Sequence, residues 1–184
     1  MIGYVLLGVI VLVALGVVSI YNGLVRLRTS AENAWSDIDV QLKRRHDLIP
    51  NIVETVKGYA SHERQTLEAV VSARSKAVAV QGAGPAERAA AEGAVTNALR
   101  GLFALAESYP QLRAVETFGQ LQATLGQIEE AIQNARRYYN AVVRDLNTRI
   151  QQFPSNIVAG MFRFQRREFF EAPDGDRAVP EVKF

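Results

Sequence analysis

The sequence predicts an all-α protein: an N-terminal transmembrane helix, then a long antiparallel four-helix bundle ending in an aromatic C-terminal tail. Three observations predict it. The chain opens on a long uncharged apolar run, and beyond it apolar residues recur at spacings of three and four. No stretch alternates apolar and polar residues as a half-buried strand does. The chain has 184 residues, which suits one domain of ordinary size beside an anchor. Lys and Arg number 21 against 19 Asp and Glu, a net charge of +2. There is no cysteine, which excludes disulfides, thiolate metal sites, a cysteine nucleophile and a lipidated N-terminal cysteine.

The anchor is assigned to residues 1–21. Ile2 to Ile20 carry no charge, and thirteen of these nineteen residues are Leu, Val or Ile. At about 1.5 Å per residue the run spans about 28 Å, close to the ~30 Å hydrocarbon core of a bilayer. Tyr4 and Tyr21 bracket it, where amphipathic rings meet headgroups. A cleaved signal peptide has a shorter apolar core of about 7–15 residues preceded by basic ones, and only Met1 precedes this run. Arg26 and Arg28 follow the run closely, with Lys43, Arg44 and Arg45 further on. Positive charge stays with the cytoplasm, so the N-terminus is expected outside and the bundle in the cytoplasm. These five basic residues are also the candidates for lipid headgroup contact.

The bundle is assigned to residues 22–154, with helices over about 22–46, 50–81, 86–108 and 112–153. Leu24, Leu27, Ala31, Ala34, Ile38 and Leu42 form the first apolar stripe. Pro50 predicts a break after about Arg45, with Asp47 available to cap a helix starting at Pro50. That second stripe includes Ile52, Val56, Leu67 and Val70, with Glu63 as its polar exception. Gly82-Ala83-Gly84-Pro85 predicts a turn, and Tyr109-Pro110 ends the alanine-rich third helix. Phe118, Leu121, Leu125, Ile128, Ile132, Ala135, Tyr139, Val142, Leu146, Ile150 and Phe153 form a heptad seam along the fourth, closed by Pro154. Such a seam packs against nearly aligned helices, in its own bundle or in a second subunit.

Residues 155–184 are assigned to a docking segment. Met161, Phe162, Phe164, Phe169 and Phe170 alternate with Arg163, Arg166 and Arg167. So many aromatics point to docking, on the chain's own bundle, a neighbouring subunit or the membrane surface. Phe118, Leu121, Leu125, Ile128, Phe162, Phe164, Phe169 and Phe170 are the candidate oligomer or partner contacts.

No residue constellation in the sequence points to a catalytic or metal-binding chemistry. His62-Glu63 is half of a zinc-protease motif, but Thr66 stands where its second histidine belongs. His46, the other histidine, is expected with His62 on a helix surface, and no metal or cofactor is expected. Asp37 and Asp39 point about 200° apart on a helix, so they form no carboxylate pair. Glu129 and Glu130 are expected in surface ion pairs with Arg136 and Arg137. No phosphate-binding loop is present. Basic and acidic residues nearly balance segment by segment, which argues against nucleic acid as a partner. Trp35 lies about 22 Å beyond the anchor if helical, so it is expected in packing rather than at the headgroups.

Several strings carry a family resemblance: AWSDIDVQLKRRHDLIPNIVETVKGYASHE from Ala34, ALAESYPQLRA from Ala104, YNAVVRDLNTRIQQFPSNIVA from Tyr139 and FFEA from Phe169. Together they resemble the LemA family of bacterial membrane proteins across nearly the whole chain. The resemblance implies a transmembrane N-terminus, a cytoplasmic helical bundle and no established catalytic activity. Some relatives are linked to organising internal membranes, and the genes often lie beside a membrane zinc metalloprotease. The expected function is therefore a non-enzymatic scaffold of the bacterial cytoplasmic membrane that forms a homo-oligomer and shapes the bilayer. The alternative is an adaptor or regulator of a membrane protein such as a membrane metalloprotease.

Overall fold

The computed structural model, which describes residues 1–171, consists of helices α1 (Ile2–Lys57), α2 (Arg64–Ala79), α3 (Pro85–Ala106), α4 (Pro110–Arg113), α5 (Glu116–Gln151) and α6 (Ser155–Met161). No strand occurs among the described residues. The described chain divides into two units: residues 1–37 with 137–167, and residues 38–136 with 168–171. Residues 172–184 of the expected docking segment lie outside the described residues.

The second unit is a four-helix bundle made by the end of α1, by α2 and α3, and by the start of α5, joined by short connections. Ile49, Ile52 and Val56 of α1, Val70 of α2, Leu102 of α3 and Phe118 of α5 meet in one core. Each such side chain contributes about 1.5–3 kcal/mol on burial. The Gly82–Pro85 turn forms as predicted, with Pro85 opening α3. Leu112 of the single-turn α4 is fully buried and plugs the bundle before α5 begins.

The predicted break at Pro50 does not occur. α1 runs through the proline to Lys57, and the chain turns at residues 58–63 instead. Proline lacks the N–H that would answer the carbonyl of His46. Arg74 of α2 replaces it, its Nε donating to that carbonyl at 2.7 Å. Asp47 caps nothing, since no helix starts there. The actual turn is closed by Tyr59 and Ala60 N–H bonds to the Val56 carbonyl. Its Glu63 accepts a hydrogen bond from the Tyr109 hydroxyl at 3.0 Å. That bond, with burial adding to it, holds the hydroxyl above its usual pKa.

The first unit joins the start of α1 to the end of α5. Leu24 packs with Leu146, Val158 and Ala159, and Val17 and Ile20 lie against the same cluster. Trp35 packs on Tyr139 with ring centroids 5.2 Å apart, as its position predicts. Helix α6 ends in two nested bonds, Arg163 N–H to Gly160 O and Phe164 N–H to Ala159 O. Arg163 has φ 56°, the left-handed conformation that glycine usually fills at a helix end. The turn redirects the chain so that Phe164 lies against Tyr21 and under Arg28, 5.5 Å from the guanidinium carbon. Asn147 then grips the returning segment, donating to the Arg167 carbonyl at 2.8 Å and accepting from its N–H at 2.9 Å.

Candidate functional site

The second unit contains a buried ionic network. Arg45 falls where the apolar stripe of α1 would continue between Leu42 and Ile49, so helical geometry carries it into the bundle. There it pairs with Glu92 of α3, and its Nη1 reaches Glu129 of α5 at 2.8 Å and Thr96 at 3.0 Å. His46 Nε2 lies 3.1 Å from a Glu92 oxygen. At the edge, Arg88 pairs with Asp39 at 2.5 Å.

Burial alone would raise the Glu92 pKa, but the His46 hydrogen bond and the charges of Arg45 and His46 outweigh it and hold the carboxyl below its usual range. Glu92 is therefore a committed anion. Arg136 faces Arg45, Glu129 and Glu171, and burial with the Arg45 charge lowers its pKa against the pull of the two carboxylates. Arg45 Nε and His46 Nδ1 lack a partner among the described residues. The network ties three helices in one register, the best-attested use of buried charge. His46 and Glu92 are both buried, and Glu129 is partly exposed.

This arrangement corrects several expectations. Arg45 is buried and cannot meet a lipid headgroup, whereas Arg26, Arg28, Lys43 and Arg44 are exposed. His46 is not on a helix surface, because it falls beside Arg45 on the inner face; His62 is exposed as expected. Glu129 reaches across to Arg45 rather than only along its own helix to Arg136. Among the described residues no group of three or more His, Cys, Asp or Glu side chains gathers to hold a metal ion.

The contact candidates separate as well. Phe118, Leu125 and Phe170 are buried within the second unit, with the Arg136 guanidinium carbon 5.2 Å from the centre of the Phe170 ring. Leu121, Ile128, Phe164 and Phe169 are half-buried, and Phe162 is exposed. The α5 seam is thus largely spent inside the chain: Tyr139, Val142 and Leu146 are buried in the first unit as Phe118, Leu125 and Ile132 are in the second. An open groove remains beside Ile128, lined by Gln41, Arg44, Asp47, Leu48 and Thr124. Of the anchor residues, Ile2 and Tyr4 are exposed, and Ile20 and Tyr21 half-buried. The apolar stretch of α1 is long and apolar enough to cross a membrane, and none of its most apolar window is buried.

The chain is 27% identical over 184 residues to Magnetosome protein MamQ 2 of Paramagnetospirillum magneticum, covering 86% of this chain and 68% of that protein. It is 26% identical to Magnetosome protein MamQ of Magnetospirillum gryphiswaldense, with the same coverage. It is 28% identical over 158 residues to Protein LemA of Metamycoplasma hominis, covering 85% of this chain and 71% of that one. The model of the LemA family matches residues 34–184, which include the buried network and most of the bundle. On that match, the chain belongs to the LemA family.

Proposed function

We propose that this protein is a non-enzymatic scaffold of the bacterial cytoplasmic membrane, anchored by Ile2–Ile20 with its N-terminus outside and its bundle in the cytoplasm. The observation that carries the proposal is the 56-residue α1. Helix α1 is exposed and apolar over its first third, and residues near its end supply bundle core. Arg26 and Arg28 follow the apolar run and suit a cytoplasmic headgroup layer. Likeness to magnetosome proteins supports an organising role at a membrane. Confinement of copies to a plane raises their effective concentration, so modest lateral contacts produce a homo-oligomer.

A second reading is an adaptor that holds another membrane protein, such as a membrane metalloprotease. Consumption of the α5 seam within the chain favours it, leaving the mixed polar and apolar groove by Ile128 for a different partner. The mass of the detergent-extracted protein separates the two readings. Anchoring and orientation are tested in cell membranes with a single cysteine at Gln81, labelled by a membrane-impermeant maleimide. The protein should resist alkaline carbonate extraction and label only in inside-out vesicles. Release by carbonate would contradict the anchor, and labelling in right-side-out vesicles would reverse the orientation.

A further inference from the structure

We propose that α6 and its flanks form a second membrane contact, with Phe153, Ile157, Met161 and Phe162 seated in the headgroup–acyl boundary beside the anchor. The inference rests on the anchoring proposed above and adds a site on the folded domain. Helix α6 has two apolar faces. Ser155, Val158 and Ala159 turn inward and are buried. On the opposite face Ile157 and Met161, one turn apart, are 56% and 69% exposed. Phe153 before the helix is 75% exposed and Phe162 after it 50%. Four large apolar side chains exposed within ten residues of chain are of the kind that marks an interaction surface.

The depth of the patch identifies what covers it. Val158 and Ala159 belong to the cluster against which Val17 and Ile20 pack, and those two residues lie in the last turn of the apolar run. The Phe162 ring is 4.6 Å from that of Tyr21, the first residue beyond the run. Helix α6 therefore lies level with the point where the anchor emerges, and its outer face continues the anchor's apolar surface. Charge supports a lipid occupant. Between Leu146 and Arg167 the only ionisable side chains are Arg149, Arg163, Arg166 and Arg167, and the first three are exposed. An exposed basic rim around an apolar patch suits an anionic leaflet. A second copy of the same patch would bring the same positive rim and be repelled.

The absence of native cysteine permits a direct test in the full-length protein. Ile157→Cys and Met161→Cys carry a nitroxide label, with Leu12→Cys as the mid-anchor reference and Gln81→Cys as the aqueous one. Each is reconstituted into phosphatidylcholine–phosphatidylglycerol vesicles, and collisions with oxygen and with a water-soluble nickel chelate are measured by power saturation. Labels at 157 and 161 should favour oxygen over nickel, at a depth of about 5–10 Å, while Leu12 reads deeper and Gln81 aqueous. Nickel access at 157 and 161 equal to that at Gln81, with Leu12 still deep, overturns the contact and leaves the anchor standing. Shielding of both positions from both reagents overturns it in favour of a protein cover. An aqueous reading at Leu12 removes the anchor and the contact together.

Discussion

Glu92→Gln should lower the unfolding free energy of the detergent-solubilised protein by about 3–5 kcal/mol at neutral pH, because it strands a buried guanidinium. Arg45 is almost fully buried, and its remaining carboxylate, Glu129, is partly exposed. Arg45→Met should cost about as much by the same argument reversed, leaving Glu92 with His46 alone. The double variant should recover about 0.5–3 kcal/mol relative to the sum of the two, since each single loss includes the cost of an orphaned charge. Arg45 Nε already lacks a partner among the described residues, so Arg45→Met removes one unsatisfied donor along with the charge. Denaturant unfolding of the four proteins measures the cycle, and strict additivity would mean that the pair is not coupled.

The same carboxylate sets an acid dependence. Its pKa is lowered on folding, so its contribution is fully present above the unfolded-state value of about 4.3 and fades as pH falls through the lower folded value. The loss of stability below about pH 4.3 should therefore be shallower in Glu92→Gln than in the parent.

Arg74→Met should destabilise the protein by about 1–3 kcal/mol, the cost of leaving a carbonyl unsatisfied inside the bundle. The carbonyl belongs to His46, and its helical donor is missing because residue 50 is proline. Pro50 is exposed, so Pro50→Ala is sterically free to restore the N–H that closes the turn. In the Pro50→Ala background, Arg74→Met should cost less than in the parent, as the carbonyl then has its own helix partner. An equal cost in both backgrounds, measured by the same unfolding experiment, would separate Arg74 from the proline and leave the unbroken α1 without this explanation.

Both sites lie where the sequence was least readable, in contrast to the regular helices. Regular periodicity yields α5 almost to its ends, expected over 112–153 and found at Glu116–Gln151, because a long heptad has one face to bury. The Gly82–Pro85 turn is equally legible from its local chemistry. Pro50 misleads because the donor that rescues its turn, Arg74, sits on another helix, 28 residues from the His46 carbonyl that it serves. Arg45 and His46 look like part of a basic surface run with Lys43 and Arg44. The stripe of Ile38, Leu42, Ile49 and Ile52 places residue 45 on the inner face, and that spacing was the available signal. Its partner Glu92 lies 47 residues on, a pairing that spacing alone does not reveal. The turn at Arg163 is hidden for a different reason, since no glycine announces its left-handed residue.

Self-association of the anchored protein is tested most directly by the mass of full-length protein extracted in mild detergent, measured by light scattering with bound detergent subtracted and imaged by negative stain from the same peak. The scaffold account predicts a uniform multiple of the 20.3 kDa chain that persists on dilution. A single chain mass at every concentration would contradict it and leave the adaptor role.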